Sequence, residues 1–378
     1  MRAIFMRLAS RPIPRVTRVM SVARESGFAC LFVGAARDLG LERTDRWEDF
    51  EIERVGRAFP LVNGGRPLTY LRGVLSYGAA AIGVIRRERP AFIHASDFEA
   101  GVPALIAGRL FRIPVMYNIH DNLSMRYSLP RPLVGALNIA EGLLVRAAAV
   151  TVVPEPFRRD ALPSWARDAV QVVRNSPDDP GYTAPSAVVP VLPRVLFAGW
   201  LDRGRALLEV IGLARAGQIQ LVVAGEGDDA IRAALRTTPN IEYRGFCNHG
   251  EIIELTRSCD YVAAFYDPAR AINRYAASNK IAEALAVGRP VLTNRELLVA
   301  DALQAAGVGI IVPYADISSI GPSLRAHLLD RTAYIATCQR ARRLYEADYH
   351  SSQVRQATLT ALSAVGLNLG HRLHERTA

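Results

Sequence analysis

The chain has 378 residues, 50% of them hydrophobic and 22% charged, a globular balance that excludes a disordered or fibrous protein and leaves room for two domains. Its formal net charge is +10, from 46 Lys+Arg against 36 Asp+Glu, and Lys280 is the single lysine. No apolar run reaches about 18 residues, so no membrane-spanning helix is predicted. The opening stretch 1–8 is too short and too interrupted for a secretory signal and reads as a first buried strand. Further strands are predicted at 29–34, 92–94, 114–118 and 149–153, with helices over 15–26, 68–89, 101–110 and 132–148. Strands separated by helices of this length imply βαβ units and a parallel sheet. The charged stretch 43–66 reads as an irregular excursion. A strand near 170–174 closes this first domain, 1–176.

Pro177, Pro180, Pro185, Pro190 and Pro193 mark a linker at 177–193. The alternation then restarts: strands at 194–199, 219–224, 241–243, 261–265, 290–293 and 309–312, with helices at 206–216, 228–237, 249–258, 279–287 and 297–306. This predicts a second doubly wound domain, 194–345, and a helical segment, 346–378, that could cross back to the first domain. The fold class is α/β, two Rossmann-like domains facing across a cleft.

Cys30, Cys247, Cys259 and Cys338 show neither CxxC pairing nor metal-ligand spacing, and free thiols in a reducing cytoplasm are expected. No metal site is expected. The charge is uneven: residues 1–178 hold 25 arginines against 17 acids, and 179–378 hold 21 basic residues against 19 acids. An anionic membrane surface or an acidic substrate would answer the first half's field. Without a nucleic-acid module, nucleic acid is not expected as a partner. An arginine-rich composition with no partner at all is the bland alternative.

Ligands of doubly wound sheets sit beyond the carboxyl ends of the strands. After strand 194–199 a loop carries Gly199 and Arg203 before a helix start, an arrangement suited to a diphosphate. Gly225 ends the next strand in a tight turn, without a complete GxGxxG. Gly245 and Phe246 follow 241–243 and could let a flat base lie against the backbone; a core edge is the equal alternative. Ser278 and Asn279 form a natural helix N-cap. Lys280 then sits in the first turn, where a cation opposes the helix dipole by roughly 0.3–1 kcal/mol unless an anion intervenes. A compact ammonium in a chain otherwise furnished with arginine points to a narrow site for one phosphate oxygen. Glu283, at i+3, can accept from both ribose hydroxyls or form a simple ion pair with Lys280. In the first half, His120-Asp121 ends a strand and is placed to face the cleft, with Asp121 holding the imidazole tautomer or capping a turn; His94 is the second choice.

These residues resemble a GT-B glycosyltransferase of the large retaining family that includes bacterial mannosyl- and glucosyltransferases. The resemblance is nearly continuous from Val195 to about Tyr349. It rests above all on Ser278-Asn279-Lys280-Ile281-Ala282-Glu283, with Phe197-Ala198-Gly199 and Ala224-Gly225-Glu226-Gly227 in supporting order. Phe92–Asp97 and Val115–Asp121 look like the family's two cleft loops. The resemblance implies a nucleotide-diphosphate sugar as donor substrate and no cofactor or metal. Arg203 and Lys280 would hold the diphosphate, Ser278 and Asn279 would assist, Glu283 would hold the ribose, and His120 would contact the sugar. The first domain would take a glycan or lipid-linked acceptor, at the inner face of the plasma membrane. Many members carry a glutamate eight positions before Glu283; here that position is Tyr275, as in a subgroup with the Ser-Asn-Lys form. Trp200 stands where relatives often have arginine. Two other readings stand beside glycosyl transfer: a nucleotide-sugar epimerase, which turns over donor alone, and a non-catalytic subunit, which survives Lys280→Ala.

Overall fold

A computed structural model describes residues 1–38, 40–59, 67–126, 129–186 and 188–365. The chain divides into two units, Met1–Arg174 with Arg355–Ala378, and Asn175–Val354. In the first unit, β1 (Arg2–Arg7), α1 (Pro14–Glu25), β2 (Ala29–Ala35), β3 (Thr44–Trp47) and β4 (Phe50–Val55) lead into α2 (Pro67–Glu88) and β5 (Phe92–Ser96). Then follow α3 (Phe98–Phe111), β6 (Val115–Asn118), α4 (Leu123–Arg126), α5 (Arg131–Ala147), β7 (Val150–Val153) and β8 (Val170–Val172). The sheet runs β3-β4-β2-β1-β5-β6-β7-β8, parallel except for the β3–β4 pair.

Both faces of this sheet are covered, which is why its strands read as continuous apolar runs. Phe5, Phe32 and Phe92 face α1 and the final helix, burying Val16, Met20, Leu359 and Leu362. Their strand neighbours Ile4, Met6, Val33 and Ile93 face α2 and α3, burying Tyr77, Ala81, Ile85, Ala104 and Ala107. The period-2 alternation of a strand thus feeds two cores at once.

The second unit holds β9 (Arg194–Ala198), α6 (Leu207–Arg215), β10 (Gln220–Ala224), α7 (Asp229–Thr237), β11 (Ile241–Tyr243), α8 (His249–Ser258) and β12 (Tyr261–Ala263). It continues with α9 (Ala271–Arg274), α10 (Asn279–Val287), β13 (Val291–Asn294), α11 (Val299–Ala305), β14 (Gly309–Val312), α12 (Gly321–Leu329), α13 (Arg331–Leu344) and the start of α14 (Ser351–Ala364). Its six strands are all parallel, in the order β11-β10-β9-β12-β13-β14. Each sheet is Rossmann-like, as the alternation of elements predicts.

The proline-bearing stretch 177–193 packs on the second unit. Tyr345 donates to the Pro177 carbonyl at 3.2 Å, Arg342 grips both oxygens of Asp179 at 2.7 and 2.8 Å, and Arg289 donates to the Thr183 carbonyl at 2.7 Å.

Two expectations are corrected. The stretch 43–66 is not irregular throughout: β3 and β4 form an antiparallel edge, with Phe50 and Ile52 buried and Glu51 exposed between them; 60–66 lie outside the described residues. Most of its charge lies on the solvent side of this edge, but Arg54 is buried, donating to the Ser10 and Glu42 carbonyls and facing Asp45 at 3.2 Å. Against the reading of apolar runs, α2 is long and apolar enough to cross a membrane by length and composition alone. Arg72 interrupts the run but hardly changes the average. Tyr77, Ala81 and Ile85 seat the helix on the first unit's sheet, and Leu68, Leu71 and Leu75 remain exposed on its outer side.

Candidate functional site

The second sheet changes direction of winding between β9 and β12, so the loops leaving these two strands diverge and open a crevice between them. A small recess lies there, lined by Phe197, Ala198, Arg205, Ala264, Tyr266, Ser278 and Lys280, among others. β9, β12 and the start of α10 therefore converge on one point.

Glycine makes the neighbouring loops possible. Gly199 has φ +148° and Gly225 φ +140°, and a Cβ on Gly225 would lie 1.8 Å from the Gly199 carbonyl oxygen. The two loops are zipped together beyond the strand ends, by Gly199 N–H to Ala224 O at 2.9 Å and Leu201 N–H to Glu226 O at 2.9 Å. The Gly225 amide donates to the Gly245 carbonyl at 2.7 Å. These glycines thus shape the rim through backbone contacts. Phe246, just beyond Gly245, is 73% exposed, and Trp200 is 57% exposed, so two aromatic faces at this edge are open to solvent.

Helix α10 starts as its sequence dictates. Ser278 is the N-cap and accepts from the Lys280 amide at 3.3 Å, and the Asn279 side chain is held by Asn175. Every residue from Ile281 to Val287 is buried, so the helix is fixed along its whole length beyond Lys280. The Lys280 ammonium donates to Glu283 Oε2 at 2.6 Å, with the side chains 20% and 3% exposed. The two side chains thus form the i, i+3 ion pair. The other oxygen, Oε1, lies 3.6 Å from His249 Nδ1 at the start of α8. A buried carboxylate held by the Lys280 ammonium, with its other oxygen facing an imidazole, is an acceptor of defined direction, suited to hydroxyls.

Of the loop arginines, Arg205 rather than Arg203 lines the recess with Lys280. Its guanidinium stacks 5.0 Å from the Tyr266 ring and lies 3.9 Å from Asp202, which caps the short turn by accepting from Gly204 N–H at 2.8 Å. Arg203 is exposed, with no partner among the described residues. Sequence reasoning named the arginine nearest the strand and passed over Arg205; the one available signal was that Arg205 abuts the start of α6. Tyr275 ends α9 and is half-buried.

In the first unit, His120 is 7% exposed, buried rather than open. Its backbone N–H donates to Asp97 Oδ1 at 2.9 Å, and its Nδ1 lies 4.0 Å from Asp97 Oδ2. The carboxylate beside the imidazole is therefore Asp97, a residue in the left-handed region at φ +67°, whereas Asp121 faces Arg158 at 3.3 Å. Burial, reinforced by Arg15 and Arg7, holds the His120 imidazole well below the usual range and hence neutral. His94 is fully buried, 3.2 Å from Asn118 Nδ2, and burial pushes it down to about 4.

Two parallel α/β units, each with polar side chains gathered where its sheet winding reverses, define a two-domain Rossmann-like protein whose second unit presents a lysine at a helix start. Residues 14–178 match the family described as glycosyl transferase 4-like domain, and residues 192–330 match glycosyl transferases group 1. The chain belongs to the GT-B glycosyltransferases. It is similar to glycogen synthase of Mycobacterium tuberculosis, 23% identical over 300 residues, spanning 73% of this chain and 69% of that one. Among solved structures, sucrose-phosphate synthase from Thermosynechococcus elongatus shares the fold at a TM-score of 0.75 and 14% identity, covering 96% of this chain and 98% of that one. Alr3699/HepE of Anabaena, solved in complex with UDP-glucose, superposes at 0.71 with 16% identity, over 96% and 100%. WaaG, a glycosyltransferase involved in lipopolysaccharide biosynthesis, superposes at 0.63 with 15% identity, over 94% and 98%.

Proposed function

We propose that this chain moves one hexose-like sugar from a nucleotide-diphosphate sugar to a glycan or polyprenyl-linked acceptor in bacterial surface polysaccharide assembly, with retention at the anomeric carbon. The observation that carries the reading is the recess at the β9–β12 reversal, where Arg205 and Lys280 meet the Ser278-capped start of α10. Two cations at a helix N-terminus suit a diphosphate. Displacing Lys280 from Glu283 onto phosphate would free a directed carboxylate for the ribose hydroxyls, and exposed Phe246 offers a surface for the base. Arg203 stands just outside, free to reach the same diphosphate. In transfer, the bond from the anomeric carbon to the diphosphate breaks and a bond to the acceptor oxygen forms on the same face. The acceptor proton passes to the departing phosphate, whose charge the guanidinium and ammonium neutralise without a metal. His120, neutral and steadied by Asp97, serves the substrates from the first unit.

The polyprenyl part has its own support. Helices α2, α3 and α5 leave Leu68, Leu71, Leu75, Ile106, Leu110, Leu133, Ile139 and Leu143 exposed. The carboxylates on these helices are engaged: Glu88 with Arg2, Glu99 with Arg126 and Glu141 with Tyr117. Arg72, Arg86, Arg109 and Arg131 are exposed among the apolar positions, whereas Arg146 pairs with Asp168 at 3.0 Å. Apolar surface rimmed by uncompensated arginine suits peripheral contact with an anionic lipid face.

Thermal unfolding with millimolar UDP, GDP, ADP and dTDP, on wild type and Lys280→Ala, tests the donor site. Ligand at about 100 times its dissociation constant stabilises by roughly 2.7 kcal/mol, a shift of several degrees. UDP comes first, because one structural neighbour was solved with UDP-glucose. A shift with one nucleotide that Lys280→Ala abolishes is expected. No shift with any of the four overturns the donor reading in favour of a non-catalytic subunit. Turnover of the donor sugar without acceptor would instead mark an epimerase.

A further inference from the structure

The first unit has its own winding reversal, between β1 and β5, and the groups gathered there are short of negative charge. Arg7 ends β1, Arg15 opens α1, Ser96 and Asp97 follow from β5, His120 to Asn122 from β6, and Arg158 from the turn after β7. Asp97 lies 3.6 Å from Arg7, and Asp121 lies 3.3 Å from Arg158. Three guanidinium groups thus share two carboxylates, and Arg15 makes no hydrogen bond or ion pair among the described residues.

Arg15 is a poor place for an uncompensated cation. The side chain is half-buried, and its loss of solvent pushes it down to about 9; the fields of Arg158 and Arg18 add to the effect, while Asp121 and Asp97 offset it only in part. It also sits in the first turn of a 12-residue helix that begins with Pro14, has no side-chain N-cap and carries no acid in that turn. The positive end of the helix dipole therefore adds to the same excess. At the same sheet edge are buried polar atoms without partners: Arg158 Nε in a side chain 4% exposed, Ser96 Oγ in a residue 1% exposed, and His120 Nε2. Buried polar groups are normally satisfied, and a cluster of exceptions at the carboxyl edge of a parallel sheet marks a missing ligand.

We propose that Arg15 and Arg158 form a phosphate-binding subsite on the first unit, built from other residues than the Lys280 site, which takes a phosphate group of the acceptor. Two guanidinium forks, the Arg15 amide and the Ser96 hydroxyl supply more donors than the two oxygens of a carboxylate would use, and they match the three terminal oxygens of a phosphate. The assignment to acceptor rests on the glycosyl-transfer reading; the phosphate chemistry itself does not.

The test uses inorganic phosphate and pyrophosphate as probes, at constant ionic strength set with chloride. Unfolding midpoints are read with and without saturating UDP. In wild type, either probe is expected to raise the midpoint further on top of UDP. Arg15→Gln and Arg158→Gln should each weaken the probe's apparent affinity at least about tenfold while keeping the UDP response. Lys280→Ala should do the reverse. Without ligand, Arg15→Gln should melt no lower than wild type, because it removes a crowded cation. An undiminished phosphate response in both arginine variants overturns the subsite. Loss of the UDP response in Arg15→Gln overturns the acceptor assignment, because it places the donor's diphosphate there. A lower ligand-free midpoint in Arg15→Gln overturns it as well, by showing Arg15 to be an ordinary structural cation.

Discussion

Lys280 and Glu283 lie three residues apart on one helix, and their roles follow from what surrounds each. Lys280 is at the helix start, where the dipole disfavours it, and is held by Glu283 at 2.6 Å. Glu283 is 2% exposed and cannot turn to solvent. Glu283→Ala is therefore expected to leave Lys280 unpaired and the ribose unheld. Donor turnover should fall at least about tenfold, or about 1.4 kcal/mol in transition-state binding. Steady-state rates near wild type in both Glu283→Ala and Lys280→Ala would show the site to be elsewhere. His94 and His120 give a second residue-scale expectation. Both imidazoles are depressed by burial, His94 to about 4. Below the ordinary value of about 6.5 the unfolded chain binds protons that the folded chain refuses. Their contribution is complete above that value and is lost as pH falls toward 4. Glu141, pushed up to about 7 by burial, acts in the opposite sense over the same range. Ring-proton signals of His94 should accordingly stay unchanged from pH 8 to about 5 in an NMR titration. A midpoint near 6.5 would contradict its burial.

At the scale of elements, the site depends on loops zipped together after β9 and β10. Gly225→Ala would drive a Cβ into the Gly199 carbonyl at 1.8 Å, at a φ of +140° that L side chains rarely adopt. The backbone must shift, and a loss of about 2–3 kcal/mol or more is expected, visible as a drop of several degrees in the unfolding midpoint together with a lost nucleotide response. Gly199→Ala, whose Cβ would meet only Arg205 at 3.4 Å, should be milder. Equal midpoints for Gly225→Ala and wild type would mean that the loops separate freely. The element boundaries themselves were legible wherever period and punctuation agree. The α10 segment is bounded by Ser278 and by Gly288 at φ +77°, and both ends stand in the sequence. The β3–β4 edge was not legible, because the alternation of Phe50-Glu51-Ile52 is drowned by the charge around it.

For the whole molecule, the excess of arginine over acid in the first 178 residues becomes meaningful only with the positions of the side chains. In a flotation assay, binding to vesicles of anionic lipid is expected, with little binding to zwitterionic vesicles, and Leu71→Glu or Ile139→Glu should reduce it. Each places a carboxylate on a helix face that now exposes leucine or isoleucine. Equal flotation with both lipids, or with none, would sink the membrane reading.

Two α/β alternations, the linker prolines and the Ser278-Asn279-Lys280 helix start could be read directly, because each is a local pattern of a few residues whose spacing the backbone enforces. Three features came only from tertiary structure. Arg205, not Arg203, enters the recess beside Lys280; Asp97, not Asp121, lies beside the His120 imidazole; and Arg15, without a carboxylate partner among the described residues, lies in the field of Arg158. A parallel sheet carries the ends of strands distant in sequence to one edge. Which of two neighbouring side chains reaches a common point there depends on loop direction and burial, and the linear order of residues contains neither.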